Sequence, residues 1–130
     1  MSTIVAGYDM SPESDAALDW AFAQAGLDSS RLVVIVGGLP PHPEVTPDVV
    51  IEHVEARLAA DGLDGEVVHL AGGAGAAASI LDHARLESAD LIVLGQRRRS
   101  PVGKLVMGST VQTVLFDAEC PVVTVKAPKA

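Results

Sequence analysis

Apolar residues along this chain fall into two kinds of stretch: short continuous runs, and longer segments with helical spacing. Thr3–Tyr8 (TIVAGY), Leu32–Val36, Leu91–Leu94 and Pro121–Val125 are continuous, β-rich runs. Runs of that length, bounded by turn residues, predict strands buried on both faces of a sheet. Glu66–Ala71 alternates more than the others, as an edge strand does. Helical segments lie between the runs. The first opens on Ser11-Pro12-Glu13, with Ser as N-cap, Pro at the first helical position and Glu in the first turn. Its stripe is Ala17, Leu18, Ala21, Phe22 and Ala25, with Gly26 as the expected stop. The second opens on Thr46-Pro47-Asp48, turns Val50, Val54 and Leu58 inward and ends at Gly62. A third runs from about Ala76 to Ser88 with Ile80, Leu81 and Ala84 inward. A fourth starts at Ser109, with Val111, Val114, Leu115 and Ala118 spaced i, i+3, i+4, i+7.

Strands alternating with crossover helices define the α/β class: a three-layer, doubly wound, five-stranded parallel sheet. Residues 1–130 have the length of one domain, without internal repeat or low-complexity segment. Such sheets bind ligands beyond the strand C-termini, where the strand order reverses. Order 3-2-1-4-5 puts that point between the first and fourth strands, and order 2-1-3-4-5 puts it between the first and third. The pattern alone leaves both open.

Composition narrows the function classes. Hydrophobic residues make up 48% of the chain, with one Trp, one Tyr and two Phe, so the core is aliphatic. A formal net charge of −8 disfavours nucleic-acid binding. Cys120 has no intrachain partner; placed before Pro121 at the start of an apolar strand, it reads as a buried, inert thiol. Trp20, at the margin of the first helical stripe, reads as packing. Neither a signal-peptide pattern at the N-terminus nor a membrane-length apolar run is present, so the expected location is the cytoplasm. His42, His53, His69 and His83 are scattered without metal-ligand spacing. No nucleophile–His–acid arrangement can be read, and no catalytic or metal-binding residue is assigned.

The stretch Leu91–Thr110 (LIVLGQRRRSPVGKLVMGST) gathers the features suited to an anion. A strand exits at Gly95, passes the basic cluster Arg97-Arg98-Arg99 and reaches a helix start at Gly108-Ser109-Thr110. A helix N-terminus offers unpaired N–H groups and partial positive charge. Asp9 leaves the first strand on the opposite side of the 3-2-1-4-5 switch point. Competing motifs fail by residue. A P-loop needs Gly where Arg98 stands and Ser or Thr where Leu105 follows Lys104. Gly73-Ala74-Gly75-Ala76-Ala77-Ala78 fits a loose dinucleotide pattern, but after the third strand rather than the first.

Along essentially its whole length the chain resembles the universal stress protein (UspA) family. The resemblance is carried by Asp9 and Ser11-Pro12-Glu13-Ser14 after the first strand, by Ala89–Gly95, by Met107-Gly108-Ser109 and by Cys120-Pro121-Val122-Val123. It implies the adenine-nucleotide alpha hydrolase-like fold with order 3-2-1-4-5, and a stress-response regulator rather than an efficient enzyme. ATP-binding members carry G-x-x-G, nine residues, then G-[ST]. Gly95 and Gly108-Ser109 keep the outer spacing, while Arg98 replaces the inner Gly and either obstructs close backbone approach or supplies charge to phosphates. The resemblance further implies ATP, with Mg²⁺, at Asp9, Val36, Gly37, Gly95, Arg98, Gly108, Ser109 and Thr110. It implies a homodimer through the last strand, Pro121, Val122, Val123, Thr124 and Val125, which as an apolar edge invites pairing. Two alternatives accompany that reading: a dimeric interaction protein of the same fold that binds no nucleotide, and a slow ATPase with Asp9 as the water-activating group.

Overall fold

Five parallel strands and four helices alternate along the chain in a computed structural model that describes residues 2–70, 75–97 and 107–128. The strands are β1 (Thr3–Tyr8), β2 (Arg31–Val36), β3 (Gly65–His69), β4 (Leu91–Gln96) and β5 (Val122–Lys126), and the helices α1 (Pro12–Asp28), α2 (Pro47–Ala60), α3 (Ala76–Leu86) and α4 (Ser109–Asp117). The sheet order is β3-β2-β1-β4-β5. That settles the choice the hydrophobic pattern left open and puts the reversal between β1 and β4.

The runs in β1, β2 and β4 are buried on both faces, as expected, whereas the last run, in edge strand β5, is only half-buried because no strand covers its outer side. Along β2, Leu32, Val34 and Val36 enter one core cluster with Leu18, Phe22, Val54 and Leu58, while Val33 and Ile35 enter the other with Ile80, Ile92, Val111 and Val114. Side chains alternate faces with period two, so a continuous apolar run fills two layers at once. Trp20 packs at the border of the first cluster. Edge strand β3 is the least covered, with Glu66 and His69 exposed.

Caps set the helix starts. Ser11 accepts from the Ser14 N–H and Thr46 from the Val49 N–H, each with Pro at the start of its helix. Ends differ from expectation. Helix α1 passes Gly26, an exposed position with open space around it, and stops where Ser29 turns left-handed at φ 54°. Helix α3 stops at Leu86, short of Ser88, whose φ is 51°. Strand β4 continues two residues beyond Leu94, because Gly95 and Gln96 pair with Val125 and Lys126 of β5. The expected Ala71 end of β3 lies outside the described residues. On α4, Val111 and Val114 are buried, but Leu115, expected inward, is 43% exposed and Phe116 is 79% exposed.

Candidate functional site

The crevice comes from a split in the sheet. Strand β1 pairs with β2 along its whole length, up to Tyr8 opposite Val36. Its ladder with β4 stops at Ala6 opposite Val93, while β4 stays paired with β5 up to Gln96. Each central strand therefore follows its outer neighbour, and a gap opens at their C-terminal ends. The resulting cavity measures about 450 Å³, within the range of small-molecule sites. Six of the residues named from sequence line it: Asp9, Gly37, Gly95, Gly108, Ser109 and Thr110. Val36 does not. Its side chain is fully buried in the core, and its carbonyl accepts from the Leu70 N–H at 2.8 Å; the neighbouring Ile35 faces the cavity instead. Arg98 lies outside the described residues.

On the β1 side, a short polar turn fixes Asp9. Its Oδ1 accepts from the Ser11 N–H at 3.0 Å and the Ser11 hydroxyl at 2.6 Å, and its own N–H donates to Ser14 Oγ at 3.3 Å. Met10 takes φ 68°, the left-handed conformation that folds the chain back so that these bonds close. Oδ2 accepts no hydrogen bond among the described residues, and Asp9 lines the cavity, so the carboxylate keeps a free acceptor there. Tyr8, immediately before Asp9, donates its hydroxyl to Asp15 at 2.6 Å. Burial, that bond and the surrounding carboxylates push the phenol well above its ordinary range.

Gly95 has a packing reason of its own. A Cβ there would stand 2.5 Å from the Glu13 carbonyl carbon and 2.6 Å from both the Glu13 oxygen and the Ser14 nitrogen. The first turn of α1 thus rests directly on β4, and only glycine permits it. This contact draws Glu13 and Ser14 to the cavity wall. Arg97, the first residue past β4, lies 3.9 Å from Glu13 across the mouth.

Two helix starts line the cavity, and among the described residues neither has a side-chain cap. Helices α3 and α4 begin at Gly75 and Gly108, glycines that offer no oxygen to the first-turn N–H groups, and Ala76 and Ser109 both line the cavity. In α4 the first N–H to meet a helical acceptor is that of Gln112, on the Gly108 carbonyl at 3.0 Å. The amides of Ser109, Thr110 and Val111 precede it and point their partial positive charge outward. Sequence reading missed the apolar wall of Ile35, Leu70 and Ile80, along with Gly7, Ser11, Glu13 and Ser14 as lining residues. Ser11 and Glu13 were visible as a helix start, and the place of Glu13 and Ser14 in the cavity wall follows from the Gly95 contact.

Among the described residues no cluster of three His, Cys, Asp or Glu side chains forms a metal site, and no helix is long and apolar enough to cross a membrane. His42, His53 and His69 are exposed, and His83 bonds the Ser79 carbonyl of its own helix at 2.9 Å. Cys120 is half-buried in a second groove, formed by the C-terminal turns of α3 and α4. Its thiol is held above its ordinary pKa, by burial first and by the nearby Asp90 carboxylate second.

A doubly wound parallel sheet with an open cavity at its switch point defines a class of α/β proteins, in which ligands, where bound, sit beyond the strand C-termini. Within that class, residues 1–126 match the universal stress protein family, and the chain belongs to it. It is 32% identical over 126 residues to a universal stress protein of Mycolicibacterium smegmatis, covering 95% of this chain and 96% of the relative. A Thermus aquaticus universal stress protein is 35% identical over 136 residues, with 95% and 98% covered. Among solved structures, a universal stress protein from Archaeoglobus fulgidus superposes with TM-score 0.71 at 30% identity, over 97% of this chain and 98% of that one. The same fold occurs in an Archaeoglobus fulgidus universal stress protein in complex with dAMP (23% identity, TM-score 0.62, 97% and 98% covered). It occurs again in an Arabidopsis thaliana family protein with AMP bound (16% identity, TM-score 0.68, 98% and 93% covered).

Proposed function

We propose that this chain is a regulatory, stress-response module that binds an adenine nucleotide, ATP in its fullest form, between the C-terminal ends of β1 and β4. The observation that carries the reading is the pairing in one cavity of a fixed carboxylate, Asp9, with the uncapped amides of α4. Asp9 Oδ2 is an acceptor suited to ribose hydroxyls. Gly37, Ile35 and Leu70 make a wall suited to a flat, apolar base. The amides and hydroxyls of Ser109 and Thr110 suit phosphate oxygens, because a helix start stabilises anions. Arg98, three residues after Gly95 in sequence, would add charge. The dAMP and AMP bound to proteins of the same fold support an adenine ligand.

Mg²⁺ fits only as a companion of the phosphates, whose oxygens would complete its shell; Asp9 and Glu13 are the carboxylates the cavity offers. Bound there, it would neutralise phosphate charge. Dimerisation through β5 belongs to the same reading: β5 is a half-exposed edge strand, and an open edge pairs readily. The exposed Leu115 and Phe116 favour a second reading, an interaction module whose signalling surface needs no nucleotide. Slow ATP hydrolysis would require Asp9 to orient water while bonded to Ser11, and Asp9→Asn would abolish it.

Native mass spectrometry of the protein purified without added nucleotide tests the reading. A mass increment equal to an adenine nucleotide, removed by gentle activation, is expected. Absence of any increment, even after incubation with millimolar ATP, AMP and Mg²⁺, contradicts it.

A further inference from the structure

Among the described residues, those lining the main cavity carry two carboxylates, Asp9 and Glu13, against a single guanidinium, Arg97. They differ in freedom. The Glu13 side chain is only 21% exposed, and its backbone is held against β4 by the Gly95 contact. Arg97 is 70% exposed and lies 3.9 Å from Glu13. A phosphate entering this cavity shares it with the Glu13 carboxylate, whose described counter-ion is the more exposed partner. A pair that exposed contributes little to stability, so exchanging it for a phosphate contact costs little.

We propose that Glu13 is a charge-selecting residue of this cavity. Its carboxylate repels phosphate in proportion to the ligand's negative charge. Glu13 therefore penalises a triphosphate free of divalent cations more than a monophosphate. The inference rests on the nucleotide reading above and adds to it the ligand's charge class. Repulsion at this range, partly screened by water, scales with the number of ligand charges and weakens as salt rises. A purely structural role for Glu13, such as supporting the first turn of α1, would instead alter all ligands alike.

Equilibrium titration with adenosine, AMP and metal-free ATP at low and high salt separates these cases. Glu13→Gln tightens ATP by about tenfold, AMP by less and adenosine not at all, and the gain shrinks at high salt. Arg97→Gln moves ATP the opposite way, because Glu13 then stands uncompensated. Equal shifts for all three ligands, a salt-independent shift, or no shift in Glu13→Gln overturns the proposal while leaving nucleotide binding intact. If the unmodified chain binds none of the three, the nucleotide reading falls and the proposal falls with it.

Discussion

At the scale of single residues, Gly95 carries the most information. In sequence it looks like a strand terminator beside a basic loop. In the fold it is the second-to-last residue of β4 and the point where the α1 backbone touches the sheet. Gly95→Ala would press a methyl group into backbone atoms that cannot swing aside. We expect a loss of about 1–3 kcal/mol in urea unfolding, as overpacking costs. Gly7→Ala would meet only side-chain tips, Leu94 Cδ2 at 2.9 Å and Ile80 Cδ1 at 3.1 Å, and should cost less. Tyr8 gives a pH prediction. Its phenol is held above the ordinary 10.0, so the folded chain keeps a proton that the unfolded chain loses. The stabilisation is complete below that value and declines as pH rises above it. The unfolding free energy followed through alkaline pH should fall more steeply in the unmodified chain than in Tyr8→Phe. The raised pKa of Cys120 predicts alkylation by iodoacetamide at neutral pH slower than that of an unhindered thiol.

Elements were legible from sequence where local chemistry decides them. Ser11-Pro12 and Thr46-Pro47 mark helix starts because cap and proline act within one turn, and both helices begin there. Ser11 also braces Asp9, so Ser11→Ala should cost about 0.5–2 kcal/mol in thermal or urea unfolding, and weaken ligand binding by loosening the Asp9 turn. Ends were less legible. Nothing in the fold requires α1 to stop at Gly26, and it runs on to Asp28, with the Gln24 side chain donating to Asp28 at 2.6 Å. The extra length of β4 comes from pairing with β5, a contact distant in sequence. Leu115 followed the helical period, but α4 is short and meets the sheet through Val111 and Val114, which leaves Leu115 at the margin.

For the whole molecule, the class could be read from the alternation of strands and helices, but the strand order could not. Either order satisfies right-handed crossovers, and the choice lies in packing between distant segments. Once β1 and β4 are neighbours, the separation of their ladder beyond Ala6 and Val93 creates the cavity. That explains why Asp9, Gly108, Ser109 and Thr110 meet there although most of the chain separates them. The apolar cavity wall was not legible, because Ile35, Leu70 and Ile80 come from three elements and read individually as core. Assembly belongs to this scale too. Pairing of two β5 edges predicts a dimer mass in sedimentation equilibrium, shifted toward monomer by Thr124→Lys, because a charge on an edge strand opposes pairing.

We propose the split between β1 and β4 as an adenine-nucleotide site. The most direct measurement is amide chemical-shift mapping by NMR during titration with AMP, and with ATP plus Mg²⁺. Saturable shifts are expected at Asp9, Gly37, Gly95, Ser109 and Thr110, with the groove around Cys120 unmoved. No saturable shift at millimolar nucleotide, or shifts confined to the Cys120 groove, would contradict it.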